Sequence, residues 1–126
     1  MPYRRKIDKD YRCPLEYALD VLGGKWKSRV LFMLSDGTLR YSELRQKMAN
    51  ITDAALAAAL KDLTRDGLVR RRQYEEIPPR VEYELTERGQ SVIPVLHHMC
   101  RWAEENRGAT GERVPRCQHC ENWATE

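Results

Sequence analysis

The hydrophobic positions along this chain recur with helical spacing, then alternate, and then return to helical spacing. Pro14 suits the first turn of a helix, because its missing N–H has no helical partner there. Residues 23 and 24, both glycine, predict the end of this helix. A second apolar stripe predicts another helix that begins near Lys25 and ends at residues 35–37.

Residues 42–67 predict two short helices joined by a few residues. Ser42 and Thr52 are the expected N-caps, because their hydroxyl oxygens can accept a hydrogen bond from a first-turn amide. Gly67 suits the left-handed residue that ends the second of these helices. The buried stripe of that helix is expected to consist of Leu56, Ala59, Leu60 and Leu63. The pair therefore predicts a helix-turn-helix.

After Gly67 the apolar period becomes two. Residues 68–74 are expected to be extended, residues 75–79 contain two prolines and predict a turn, and residues 81–85 alternate between apolar and acidic side chains. This predicts a β-hairpin, in the position of the wing of a winged helix-turn-helix. The predicted fold class is mainly α with a small β-hairpin wing.

A long last helix is predicted after Thr86, its expected cap, and Pro94 is expected to kink it. One stripe of this helix contains Val92, Leu96, Met99 and Ala103, and Ile93, Cys100 and Trp102 lie beside it. The other elements already account for a core of the expected size. We therefore expect this wide apolar face to be buried against a second subunit.

Composition narrows the class of protein. The chain has 126 residues, of which 41% are hydrophobic and 33% charged, as expected for one globular domain. We divide it into a basic N-terminal arm (residues 1–12), the winged helix-turn-helix with its last helix (residues 13–106) and a tail (residues 107–126). The sequence has no apolar run long enough for a membrane span and no export signal, so a cytoplasmic location is expected. It has no phosphate loop or catalytic triad spacing, so no enzyme activity is expected.

A net charge of +3 permits nucleic-acid binding without requiring it, so the placement of the charges matters. The second helix of a helix-turn-helix enters the major groove of DNA. In this chain, the outward positions of that second helix hold few side chains that can donate two hydrogen bonds to one base. Contacts with the DNA backbone and recognition of DNA shape are therefore expected to supply much of the affinity. A winged-helix adaptor that binds a protein partner is the alternative. The expected DNA-binding residues are Ser42, Arg45, Thr52, Asp53, Ala54, Ala57, Lys61, Arg70, Arg72 and Arg80.

Several short motifs together indicate a family. These are Cys13-Pro14, the Leu-Gly-Gly-Lys-Trp run at residues 22–26, Tyr-Ser-Glu-Leu at residues 41–44 and Asp-Gly-Leu-Val at residues 66–69. In them the chain resembles the HxlR-type transcriptional regulators, which are winged-helix proteins related to the MarR group. The resemblance covers roughly residues 13–106. It implies a homodimer on an inverted repeat of double-stranded DNA, with the first and last helices forming the dimer interface.

Cys13 lies directly before the helix that Pro14 opens, and Arg12 precedes it. The positive end of a helix dipole favours a thiolate, which is the reactive form of cysteine. The resemblance implies that a cysteine at this position senses disulfide stress, quinones or aldehydes. We therefore predict a regulator that responds to an oxidant or a small electrophile through Cys13. The alternative is an ordinary buried residue at a helix start.

The remaining cysteines permit a zinc site. Cys117 and Cys120 form a Cys-x-x-Cys, and His97 and Cys100 precede it on the last helix. The spacing His-x2-Cys-x16-Cys-x2-Cys matches four zinc ligands. This would make a zinc-stapled or metal-responsive regulator. The alternatives are a tail that is inert or forms a disulfide, with Cys100 as an ordinary apolar residue of the helix.

Overall fold

The computed structural model describes residues 11–108 and Gly111. Within these residues five helices and three short strands alternate along the chain. They are α1 (Pro14–Leu22), α2 (Lys27–Leu34), β1 (Leu39–Arg40), α3 (Tyr41–Lys47), α4 (Asp53–Arg65), β2 (Val69–Tyr74), β3 (Arg80–Leu85) and α5 (Glu87–Asn106). The predicted class, mainly α with a winged helix-turn-helix, is confirmed, with α3 and α4 as the helix pair and β2–β3 as the wing.

Local chemistry explains most of the helix ends. Thr52 caps α4 by accepting a hydrogen bond from the Ala55 amide at 3.1 Å. Thr86 caps α5 in the same way, with the Gly89 amide at 3.1 Å. Gly67 has a φ of 79°, in the left-handed region that ends α4. Both predicted threonine caps and the predicted glycine end are therefore confirmed.

Two helix starts differ from the prediction. The helix α2 begins at Lys27, two residues after the expected start. The helix α3 begins at Tyr41, and its N-cap is Arg40 rather than Ser42. Arg40 is the last extended residue of β1, and its amide donates to Glu43 Oε1 at 2.8 Å. Because the chain passes from the strand directly into the helix, Ser42 already lies in the first turn.

The sheet has the order β1-β3-β2, and both pairings are antiparallel. The strand β1 was not predicted. It contains only two residues, Leu39 and Arg40, which pair with Tyr83 and Glu82 of β3. A strand of this length exists because β3 offers a free edge, which no local pattern in residues 39–40 could indicate. The wing is thus a hairpin anchored to the helices by a third strand.

The core lies between α2, α3, α4, the sheet and the first half of α5. The predicted stripe of α4 is buried, with Leu56 and Leu63 fully inaccessible. Gly89 lets α5 approach the turn after α4, since a Cβ there would lie 2.1 Å from the Leu68 carbonyl oxygen. The buried hydrophobic set is Val21, Val30, Leu31, Leu34, Leu44, Met48, Ile51, Leu56, Ala59, Leu60, Leu63, Leu68, Val69, Tyr83 and Leu96.

The last helix is buried along only part of its predicted stripe. Leu96 is buried in the core, whereas Met99 is 53% exposed and Trp102 is 68% exposed. The first half of α5 packs on α2 and β3 of the same chain, and the second half presents its apolar side chains to the surface. Over residues 11–108, no helix is both long and apolar enough to span a membrane.

Candidate DNA interface

The helix α4, the second helix of the pair and here called the reading helix, presents one face to the core and the other to solvent. Thr52, Asp53, Ala54, Ala57 and Lys61 are all exposed, as the sequence predicted for the outward positions of the reading helix. Opposite them lies the buried stripe that fixes the helix on the core. The exposed face is therefore shallow, with the methyl groups of three alanines (Ala54, Ala57 and Ala58) between Thr52 and Lys61.

The start of the reading helix is held by a cluster of Tyr41, Arg45 and Asp53. Arg45 Nε donates to Asp53 Oδ1 at 2.7 Å, and Arg45 Nη1 donates to the Ile51 carbonyl at 2.7 Å. The Tyr41 hydroxyl donates to Asp53 Oδ1 at 3.2 Å. Partial burial raises the pKa of Tyr41 and nearby Asp53 raises it further, so this hydroxyl stays protonated and remains a donor.

This cluster gives two predicted DNA-binding residues a second role. Arg45 and Asp53 contact each other across the turn between α3 and α4. They therefore connect α3 to the first turn of the reading helix, and Asp53 also lies favourably at the positive end of the helix dipole. Direct contact of either residue with DNA stays a prediction.

The stretch that runs from Lys25 through α2 and α3 to Lys61 of the reading helix carries an excess of positive charge. Residues 25–61 contain seven lysines and arginines against three acidic residues, a net charge of +4. At its start, Lys25 Nζ lies 4.8 Å and Arg29 Cζ 5.1 Å from the centroid of the Trp26 ring. Lys47 and Lys61 are exposed, as is Ser42. This segment can therefore attract phosphate before any specific contact forms.

The wing differs, because its arginines face glutamates across the hairpin. The strand register places Arg70 opposite Glu84 and Arg72 opposite Glu82. Arg70 Nη1 lies 3.0 Å and Arg72 Nε 2.9 Å from the same oxygen, Glu84 Oε2. The hydrogen bond from Arg72 holds the pKa of Glu84 below its usual value, so the carboxylate stays charged.

The third predicted wing residue, Arg80, is also paired. Its Nη2 lies 3.0 Å from Glu76 Oε2 and its Nε 3.5 Å from Glu82 Oε2. Its guanidinium carbon lies 4.2 Å from the centroid of the Tyr74 ring. All three arginines remain candidates for DNA contact, but each has an acidic partner within the protein.

Cys13 is exposed and occupies the N-cap position of α1. The thiol is therefore accessible rather than buried at the helix start. Its carbonyl accepts a hydrogen bond from the Glu16 amide at 3.1 Å, and the Arg12 amide donates to Glu16 Oε1 at 2.8 Å. The Cys13 side chain makes no capping hydrogen bond, so chemical modification of its sulfur would not break a helix cap.

The four candidate zinc ligands fall into two groups. His97 is buried in the protein's own core, with its ring centroid 5.2 Å from that of Phe32, and Cys100 is partly buried. Cys117 and Cys120 lie outside the described residues. Among the residues that the structure does describe, no three metal-binding side chains come together. The zinc site stays a prediction.

Exposed apolar side chains concentrate on the first and last helices. Within residues 11–108, seven large hydrophobic residues are exposed, and six of them lie on α1 or α5. On α1, Leu15 and Leu19 are four residues apart and share one helical face, with Tyr17 on the opposite side, whereas the three residues of α5 follow one stripe of that helix. The six are Leu15, Tyr17, Leu19, Val95, Met99 and Trp102.

One connection was missed by sequence reasoning. Arg88, near the start of α5, donates from Nη2 to the Tyr17 hydroxyl on α1 and from Nε to the Asp66 carbonyl at 3.0 Å. Asp66 is the C-cap of α4. Arg88 therefore ties α1 to the far end of the reading helix. The partners are 71 and 22 residues away along the chain, so no local pattern could indicate the contact.

Comparison with known proteins agrees with this geometry. Residues 21–110 match the model of the HxlR-like helix-turn-helix family. A Methanothermobacter thermautotrophicus protein, named an uncharacterised HTH-type transcriptional regulator, is 45% identical over 111 residues, which cover 86% of this chain and 85% of that protein. The solved structure of the redox regulator HypR in its reduced form aligns with a TM-score of 0.73 and 41% identity, covering 78% of this chain and 97% of HypR. The reduced form of the transcriptional regulator YodB from Bacillus subtilis aligns with a TM-score of 0.70 and 32% identity, covering 81% and 100%.

Proposed function

This chain belongs to the HxlR-like helix-turn-helix family, and we propose that it is a homodimer whose binding to an inverted repeat of DNA responds to modification of Cys13. Membership confirms the resemblance that the sequence motifs indicated. Like its relatives, the chain is an HTH-type transcriptional regulator rather than an enzyme. The dimer, the inverted repeat and the response of Cys13 are the proposed part.

The reading helix supports DNA binding through its rigid start and its exposed face. Thr52 caps it, and the Tyr41–Arg45–Asp53 cluster fixes its first turn on α3. A helix held in this way can enter the major groove with little further ordering, which lowers the entropic cost of binding. Ala54 and Ala57 offer methyl groups that can pack on thymine methyls, and Lys61 can reach a phosphate.

The exposed faces of α1 and α5 support a homodimer. Met99 and Trp102 are each more than half exposed, and so are Leu15 and Leu19 on α1. Apolar patches of this kind on a small protein indicate a protein interface. A two-fold symmetric dimer would bury the same patch on both subunits and would present two reading helices to an inverted repeat.

The position of Cys13 is the observation that carries the proposed response. Its exposed thiol stands at the first turn of α1, directly before the apolar residues Leu15 and Leu19. A group added to the sulfur would therefore stand at the edge of the proposed interface. From α1, Tyr17 reaches Arg88, and Arg88 holds the Asp66 carbonyl at the end of the reading helix. A shift of α1 is thereby coupled to the orientation of α4.

Similar proteins make the same chemistry reasonable. HypR is described as a redox regulator and has been solved in reduced and oxidised forms, and YodB has been solved reduced and after diamide treatment. With diamide, Cys13 and the Cys13 of the second subunit in the proposed dimer would together lose two protons and two electrons to the azo group, which becomes a hydrazine, and an S–S bond would form between the two sulfurs. With an electrophile, the Cys13 thiolate would add directly to the electrophilic carbon.

The test is binding of the purified protein to duplex DNA from upstream of its own gene, first reduced and then treated with diamide. The expected result is a change in affinity of at least tenfold that a reducing agent reverses. Cys13→Ser is expected to bind as the reduced parent does and to ignore diamide, because it has lost the reacting sulfur.

Cys100→Ser is the matched control, since Cys100 is the other described cysteine and lies partly buried on α5. It should respond to diamide as the parent does. A Cys13→Ser protein that loses or gains affinity with diamide to the same extent as the parent would contradict the proposed role of Cys13. The oligomeric state of the reduced protein, measured by analytical ultracentrifugation, tests the dimer separately.

A further inference from the structure

The outer face of the wing pairs its cations with anions. Residues 69–85 contain four arginines and four glutamates, so the hairpin has no net charge. Glu84 has a special place in this arrangement, because a single oxygen accepts hydrogen bonds from two arginines. Arg70 Nη1 lies 3.0 Å and Arg72 Nε 2.9 Å from Glu84 Oε2. Glu84 Oε1 accepts from the Thr38 hydroxyl at 3.4 Å, which fixes the carboxylate from the β1 side.

A DNA phosphate would compete with Glu84 for the same donors. Arginine binds carboxylates and phosphates with the same planar set of N–H groups. Arg70 and Arg72 are each about half exposed, at 54% and 49% of their side-chain surface, so solvent and phosphate can both reach them. Pairs at such exposed positions are weak, and a well-placed phosphate can therefore displace the carboxylate.

This competition acts unequally on different DNA sites. Binding to arbitrary sequence depends almost entirely on charge and tolerates many poses. In such poses Arg70 and Arg72 contribute little while they stay paired with Glu84. On an operator the reading helix fixes one orientation of the protein, so the phosphates near the wing lie at constant positions. A phosphate can then replace Glu84 as the partner of Arg70 and Arg72.

We propose that Glu84 is a specificity-determining residue that withholds Arg70 and Arg72 from DNA until the reading helix has docked. The inference rests on the proposed DNA binding. It assigns to the wing a role in distinguishing operator DNA from other sequences, rather than in raising the affinity for every duplex. Glu84 touches no base in this account. It acts through the two arginines.

The test compares the parent with Glu84→Gln on operator DNA and on a scrambled duplex of equal length. Glutamine keeps the size of the side chain but removes its charge. Affinity for the scrambled duplex is expected to rise about five- to tenfold at 0.1 M salt, and the slope of log affinity against log salt to steepen by about 0.9 for each arginine released. Affinity for the operator is expected to rise less than threefold, so that discrimination falls.

Glu75→Gln is the control for charge alone. Glu75 is an exposed residue of the same hairpin, and no arginine of the described residues pairs with it. Glu84→Gln should exceed it on scrambled DNA. A second control places Glu84→Gln in an Arg70→Gln/Arg72→Gln background, where its effect should disappear, because the interaction it removes is already absent.

The outcomes separate the two levels of the proposal. A parent that binds the operator, with Glu84→Gln no different from Glu75→Gln on scrambled DNA, would overturn the role of Glu84 alone. An equal rise with and without the two arginines would also overturn it. A parent that binds no duplex would overturn the proposed function itself.

Discussion

The stretch from α2 to the reading helix (residues 25–61) and the wing are both rich in basic residues, yet the structure uses them differently. In residues 25–61, seven basic residues outnumber three acidic ones, and among the described residues only Arg45 of the seven forms an ion pair, with Asp53. In the wing, four arginines meet four glutamates, and three of these arginines form ion pairs. A count of arginines therefore does not predict a basic surface, because the strand register determines which arginines and glutamates pair.

The two regions also differ in how they are held. The reading helix rests on Leu56 and Leu63, which are fully buried. The outer face of the wing rests on exposed ion pairs, each of which contributes little to stability. A fixed helix and an adjustable wing suit a protein in which the helix reads the major groove and the wing arginines bind phosphate only once the helix has docked.

The largest expected effect follows from placing a negative charge on the reading helix. Ala57→Glu should lower affinity for every duplex by on the order of a hundredfold or more, because like charges brought into contact cost several kcal/mol. Fluorescence anisotropy with labelled duplex measures this. Ser91→Glu, at an exposed position of α5, adds the same charge away from the helix pair and should change affinity less than threefold. Equal losses in the two variants would show that α4 does not face the DNA.

A smaller effect sharpens the comparison between the regions. Lys61→Ala should reduce the salt slope of operator binding by about 0.9, as expected for one lost phosphate contact. Arg72→Ala should reduce it by less, since this arginine must first leave Glu84. Anisotropy titrations between 50 and 300 mM salt, roughly the range over which such slopes are linear, check both. A larger reduction for Arg72→Ala would contradict the assignment of a neutral wing.

The smallest expected effect concerns the pH dependence of stability. The pKa of Glu84 in the folded protein is lowered, first by the hydrogen bond from Arg72. A group with a lowered pKa stabilises the fold above its unfolded pKa, and this contribution disappears as the pH falls through the folded pKa. Parent and Glu84→Gln should therefore differ slightly in urea midpoint at pH 7. The difference should narrow as the pH falls from 7 to 3. A gap that widens would contradict the pairing.

The elements that the sequence predicted well are those fixed by local chemistry. Thr52, Thr86 and Gly67 end or begin helices through bonds to residues within a few positions, and the stripe of α4 follows from helical spacing. The cap of α3 was misplaced at Ser42, because arginine is not a typical N-cap residue and the helix start is marked only by Glu43, whose carboxylate accepts from the Arg40 amide.

The parts that the sequence could not predict depend on contacts between distant residues. The strand β1 exists only against β3, and Arg88 joins Tyr17 to Asp66 across three elements. The pairing of Arg70 and Arg72 with Glu84 requires the register of the hairpin, although the alternation of charges on both strands was visible. The sequence therefore indicated which residues lie at the candidate interface, but not which of them hold one another.

The central claim is that this protein binds DNA through phosphate contacts centred on its helix-turn-helix. The most direct test is the equilibrium affinity of the reduced protein for duplex from upstream of its own gene, measured across a salt series. We expect log affinity to fall linearly with log salt, by about 0.9 for each phosphate contacted. Failure to bind any duplex at low salt, or an affinity that salt leaves unchanged, would contradict it and favour a winged-helix adaptor that binds a protein partner.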